Sequence, residues 1–245
     1  MTLRHASRSR SAIFAPLGDP GRATRVEQRL ADAIRSGMLA DGERLPSEQE
    51  LASMLGVATV TAREALVALR NQGLVTTVRG RGGGSFVTRP KQSDESALQE
   101  RLTHMSLVEL RDRGTLYRVI LAGCAELAAP YADELDAESL RDLLVDEGVD
   151  DVGAWRHASS ELYLSIAALT QSARMTREVV RHEADFGVLL KLPLTSPEFR
   201  KATRVRHLEL VEAIAAHDAG LARRAAQEQV AAAIASLVDL HAGVR

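Results

Sequence analysis

The sequence predicts a mainly α-helical chain, with three helices and a β-hairpin at the N-terminal end and an all-α bundle of six or seven helices after it. Three observations carry this. Apolar residues recur at helical spacing from Thr24 onward. Two short β-rich runs flank a glycine-rich tip between residues 74 and 87. Beyond residue 96 there are many helix-start signals and no strand pattern.

The 245 residues suffice for two modest domains with separate cores. Aromatics make up only 3%, so the cores must be built from Ala, Leu and Val. Cys124 is the single cysteine, which rules out an internal disulfide and predicts a buried small hydrophobe. No apolar run reaches the length of a membrane span, and residues 1–20 lack the apolar centre of a signal peptide. A cytoplasmic protein with no membrane partner is expected. Residues 1–90 hold 13 Arg against 8 acidic residues, whereas the remainder holds 18 Lys plus Arg against 25 acids. A basic front half and an acidic back half point to nucleic acid as the partner of the first.

Residues 1–21 have no period and are expected to be a disordered tail carrying Arg4, Arg8 and Arg10. Val26, Leu30, Ile34 and Met38 then form one helical stripe, followed by the turn around Asp41-Gly42. Ser47 and Glu50 are spaced as a capping box opening a second helix that buries Leu51, Met54 and Leu55 and stops at Gly56. A third helix over 59–71 buries Ala62, Leu66 and Leu69, with Thr59 as a candidate N-cap. The β-rich runs 74–78 and 85–87 are joined by Arg79-Gly80-Arg81-Gly82-Gly83-Gly84. Helix, helix, short turn, helix, hairpin is the order of a winged helix-turn-helix, here over residues 22–89. Residues 90–96 read as a linker, and 97–243 as the helical domain. Its helix starts are expected at Ser106 (with Glu109 completing a capping box), Asp136, Asp151, Ser172, Ser196 and Asp218. The segment 106–129 should present Leu110, Leu116, Ile120, Ala125 and Leu127 to a core.

In a helix-turn-helix the last helix enters the major groove with its N-terminal residues at base edges. Those residues are Thr59, Val60, Thr61 and Arg63. Arg63 is the prime candidate, because a guanidinium grips guanine O6 and N7 together or clamps a phosphate. Arg79 and Arg81 at the hairpin tip would meet the backbone or minor groove. The glycine-rich tip is not a nucleotide loop: no Gly-Lys-Ser/Thr follows, and Ser85 stands where a G-x-G-x-x-G frame needs glycine.

The residues Leu45-Pro46-Ser47-Glu48-Gln49-Glu50-Leu51-Ala52, Leu55-Gly56-Val57, Thr61-Ala62-Arg63-Glu64-Ala65-Leu66, Gly73-Leu74-Val75, Gly80-Arg81-Gly82 and Phe86-Val87 closely resemble the GntR family of regulators. The resemblance implies double-stranded DNA as partner and adds Ser47 and Gln49 to the contact set. Two departures stand out. Gln49 occupies a position where the family usually has arginine, and Ala58-Thr59 replaces its usual Ser-Arg. The family's usual operator sequence does not carry over.

From about residue 97 to 240 the chain resembles the all-helical FCD effector domain of the FadR branch, through Arg118, Ala125-Glu126-Leu127-Ala128-Ala129, the run His207–Ile214, Asp218 and Ala222. In that branch an Asp, a His four residues later and two further His hold a divalent metal. The matching positions here are Ser159, Tyr163, His207 and Gln229, only one of them an ordinary ligand. The resemblance therefore implies a neutral, hydrogen-bonding effector site without metal or other cofactor, with Arg118 available to a carboxylate. His182 and Asp185, three apart, form a candidate replacement metal pair. No nucleophile–base set is evident, and about 155 residues are too few for a fused enzyme domain, so an enzyme is not expected. The expected function is a homodimeric repressor that answers to a small organic acid or acyl compound. The alternative is a constitutive architectural dimer whose helical half only dimerises.

Overall fold

The computed structural model describes residues 22–36, 39, 41–78, 80, 83–88 and 95–243. The expected tail 1–21, together with Met38, Arg79 and Arg81, lies outside the described residues. Helix α1 (Arg22–Ser36) buries Val26, Leu30 and Ile34, the stripe that the spacing predicts. Helix α2 (Glu48–Leu55) opens on the complete capping box, with Ser47 Oγ accepting from Glu50 N and Glu50 accepting from Ser47 N at 2.8 Å. It ends on Gly56 at φ 64°, a left-handed position that any side chain would strain. Helix α3 (Thr59–Asn71) crosses the same core with Ala62, Ala65, Leu66 and Leu69. Its N-cap is Ala58, not Thr59, and no side chain caps it.

Strands β1 (Val75–Val78) and β2 (Gly84–Val87) pair antiparallel, Val75 opposite Val87 and Val78 opposite Gly84. Residues 42–45 bind the other edge of β2, through Val87 N to Glu43 O and Leu45 N to Ser85 O, both 2.9 Å. The hairpin is thereby fixed to the turn that precedes α2, and Val75 and Val87 close the core from above.

Seven α-helices follow among the described residues: α4 (Glu95–His104), α5 (Leu107–Ala128), α6 (Glu134–Arg141), α7 (Val152–Leu169), α8 (Ala173–Asp185), α9 (Pro197–Ala215) and α10 (Ala219–Gly243). The last two residues of the expected linker, Glu95 and Ser96, are already helical. Ser106, Asp151, Ser172 and Ser196 cap as their spacing predicts. At α6 the cap is Asp133, and Asp136 is the residue that reaches back to it. Ser106 caps α5, but Glu109 turns to Arg113 at 2.7 Å and does not close the box. Helices α5 and α10 make the most extensive pairing, close enough that a Cβ on Gly114 would sit 2.7 Å from Ile234. Leu110 and Ala125 face that core, but Leu116 and Leu127 are each 48% exposed and do not. Helix α8 packs on α1, joining the two halves.

Candidate DNA-contacting surface and buried polar site

Helix α3 presents two faces. Its apolar side is consumed by the core, while Thr59, Val60 and Arg63 stand exposed and Thr61 is partly buried at the edge. Val60 is 59% exposed, so its methyl groups are open to a partner. Arg63 Nε donates to Glu48 Oε2 of α2 at 2.9 Å, so the guanidinium is oriented across the two helices before any partner arrives. Gln49 is exposed on the same helix as Glu48, and Ser47, also exposed, is engaged as the cap. Arg44 Nη2 donates to Gly83 O at 2.7 Å, tying the hairpin tip to this face.

The second concentration of polar groups is buried inside the helical bundle. Glu183 of α8 is wholly buried and accepts three bonds: from Tyr117 of α5, from Arg156 of α7 and from Ser160 Oγ at 2.7 Å. Beside it Tyr163 of α7 meets His207 Nε2 of α9 at 2.9 Å, with Gln229 of α10 hydrogen-bonded to the same phenol. Tyr163 lies edge-on to Tyr117 at 6.5 Å and to His207 at 5.4 Å between ring centroids. The structure thus brings together Tyr163, His207 and Gln229 from three helices, as the sequence expects. It does not include the other two. Ser159 is buried, but its Oγ donates to Trp155 O in its own helix at 2.8 Å. Arg118 is only partly buried and takes no part in these bonds.

Comparison with known proteins agrees with both halves. Residues 22–86 match the model of bacterial regulatory proteins of the gntR family, and residues 115–232 match the FCD domain. The HTH-type transcriptional regulator RmpR of Mycobacterium gastri is 33% identical over 234 residues, covering 94% of this chain and 85% of its own. The chain belongs to the GntR family of transcriptional regulators. The Uxu operon regulator of Haemophilus influenzae is 28% identical over 61% of this chain and 54% of its own. Among solved structures, E. coli McbR/YncC shares the fold at TM-score 0.50 and 18% identity, covering 90% of this chain and 99% of that one. A GntR regulator of this construction is a DNA-binding protein and not an enzyme.

The polar cluster around Tyr163 is not made of neutral groups alone, because the buried Arg156–Glu183 ion pair lies beside it. Arg156, Glu183, Tyr117, Ser160 and Arg206 all escape sequence reading. The one signal is the run Arg156, Ser159, Ser160, Tyr163, polar residues at helical spacing on a side of α7 that is buried throughout. The divalent metal of the family does not fit these residues. His207 is the only imidazole, burial and the nearby Glu183 carboxylate raise the Tyr163 phenol well above its ordinary value, and Gln229 offers a neutral amide. His182 and Asp185 do not replace it: Asp185 is taken by Arg101 and Arg113, while buried His182 lies beside Glu178. Among the described residues no three His, Cys, Asp or Glu could hold an ion. Cys124 is fully buried, and burial pushes its thiol up to about 12.

His207 carries no charge at neutral pH. Burial, with the guanidinium groups of Arg206 and Arg156 nearby, lowers its imidazole from 6.5 to about 3. The folded protein therefore binds fewer protons than the unfolded chain between those two values, and stability must fall as pH drops through that window. From pH 7 to 5 this group alone accounts for a loss of ~2 kcal/mol. Chemical denaturation at the two pH values checks it: His207→Gln should remove about that much of the pH dependence, and an unchanged slope would refute the assignment.

Proposed function

We propose that this regulator is a cytoplasmic homodimer that binds a pseudo-palindromic operator, represses from it, and releases or tightens on binding a small organic acid. The supporting observation is α3, whose N-terminal Thr59, Val60 and Arg63 are exposed and Thr61 partly so, while Ala62, Ala65, Leu66 and Leu69 anchor the helix in the core. One such helix reads only a few base pairs, so specificity requires two half-sites related by the protein's own symmetry. Ser47 and Gln49 would contact the flanking phosphates, and Arg79 and Arg81 the backbone beside the wing. The domain assignment follows: 22–89 as the DNA-reading head, 97–243 as the effector and dimerisation domain. A relative named as a histidine utilization repressor, from Pseudomonas aeruginosa and 38% identical over 51% of this chain, agrees with repression.

The orienting bond from Glu48 makes Arg63 the base reader of choice, since a preset guanidinium loses less freedom on forming a bidentate pair. In vitro selection from random duplexes supplies an operator on which to test it. Arg63→Ala should weaken that operator by about 1–3 kcal/mol and leave binding to unselected duplex nearly unchanged. Equal operator affinity for Arg63→Ala and the parent removes Arg63 from the reading set.

A further inference from the structure

Val60, Arg63 and Val67 follow one another along α3 at three- and four-residue spacing, and all three are exposed. They form one outward line on a helix whose other side is anchored by Ala62, Ala65, Leu66 and Leu69. Two of the three are apolar, Val60 at 59% exposure and Val67 at 41%. Their places differ. Val60 is the second residue of the helix, in the turn that meets base edges in a helix-turn-helix, whereas Val67 lies two turns further on.

Valine has no donor and no acceptor, so Val60 can hydrogen-bond neither a base nor a phosphate. It gains only by covering another apolar surface. The base edges in the major groove offer hydrogen-bonding groups and a single apolar one, the 5-methyl of thymine. Thr59 and Thr61 on either side carry hydroxyls that suit phosphate oxygens, and Thr61 is partly buried. Val60 is thus the exposed side chain of the first turn whose chemistry fits that methyl group alone. Arg63, next on the same line, is already directed by its bond to Glu48. A helical rise of about 1.5 Å per residue separates Val60 and Arg63 by about 4.5 Å along the axis, against about 3.4 Å for a base step. The two side chains therefore fall within one or two base pairs of each other.

We propose that Val60 is a specificity-determining residue, packing on a thymine methyl one or two base pairs from the guanine that Arg63 grips. Each half-site then carries a T·A pair that is selected by its methyl group and not by hydrogen bonds. The proposal rests on the reading of α3 as the DNA-contacting helix and names one base that this helix selects.

Selection from random duplexes with the full chain supplies the operator, and its half-sites should hold a thymine one or two positions from a fixed guanine. Deoxyuridine in place of that thymine removes one methyl group and leaves every hydrogen-bonding group. It should weaken binding by the parent roughly 3–5-fold per half-site. Val60→Ala should bind the thymine and deoxyuridine operators alike, whereas Val67→Ala, the same kind of change two turns away, should keep the full difference. Cytosine at that position should bind more tightly once it is 5-methylated, with the parent but not with Val60→Ala. Deoxyuridine bound as well as thymine by the parent, a difference that survives Val60→Ala, or half-sites without that thymine would each overturn the proposal. The reading of α3 would still stand wherever Arg63→Ala weakens the same operator. Selection that enriches no sequence would overturn both.

Discussion

Glu183→Ala is expected to cost about 3–5 kcal/mol, the largest stability loss of any single substitution in the helical domain. The carboxylate is fully buried and answers Arg156, Tyr117 and Ser160 at once. Its removal strands a guanidinium in a low-dielectric interior and leaves two hydroxyl groups short of an acceptor. Against a typical total of about 5–15 kcal/mol, that loss brings the domain near unfolding. The charge, not the volume, is responsible, and a second variant separates the two. Arg156→Leu/Glu183→Leu removes both charges and fills the space, so it should recover most of the loss. Gly187 lies so close to the pair that a Cβ there would be 2.7 Å from Arg156 Nη2. Urea denaturation followed by circular dichroism measures all three proteins. A Glu183→Ala cost below about 1 kcal/mol would mean that water reaches the pair.

What could be read in advance divides along a physical line. Capping is local chemistry, so Ser47 with Glu50, Asp151 and Ser196 announce helix starts from a few adjacent residues. The same locality misplaces α6, because Asp133 and Asp136 are one residue type in two reciprocal roles. The three-helix head is legible for the further reason that each helix has one apolar face. Helix α5 has two, and periodicity alone cannot say which is inside: Leu110, Tyr117, Leu121 and Cys124 are buried, whereas Leu116, Val119 and Leu127 are exposed. At the buried site Tyr163, His207 and Gln229 were within reach because a resemblance carried their positions. Arg156 and Glu183 were not, because they stand 27 residues apart on different helices and no spacing rule joins them. Arg118, which the same resemblance supplies, is only partly buried, whereas the buried arginines of the helical domain are Arg156 and Arg200.

The second face of α5 leads to the other large expected effect: Leu116→Glu/Val119→Glu should convert the protein into a folded monomer with little operator affinity. Leu116, Val119, Gly123 and Leu127 follow one another at three- and four-residue spacing, so they share one side of the helix. Val119 is 59% exposed and Tyr131, just past the helix end, 58%. A Cβ on Gly123 would find only Met175 Cε, at 3.9 Å, so among the described residues nothing crowds the middle of the stripe. A twofold partner laying the same face against it would bury the row from both sides with glycine at the closest approach, which is how a self-complementary interface forms. In the proposed dimer the two heads are linked, and the second half-site is then bound at a high effective concentration that can multiply affinity about 10²–10⁴-fold. Two buried glutamates per protomer would repel across the axis and abolish that gain, while each head retains its weak half-site contact. Light scattering at micromolar concentration reads the oligomeric state, circular dichroism the fold, and titration against full and half operators the affinity. A dimer that survives the double substitution with full operator binding would place the interface on another face.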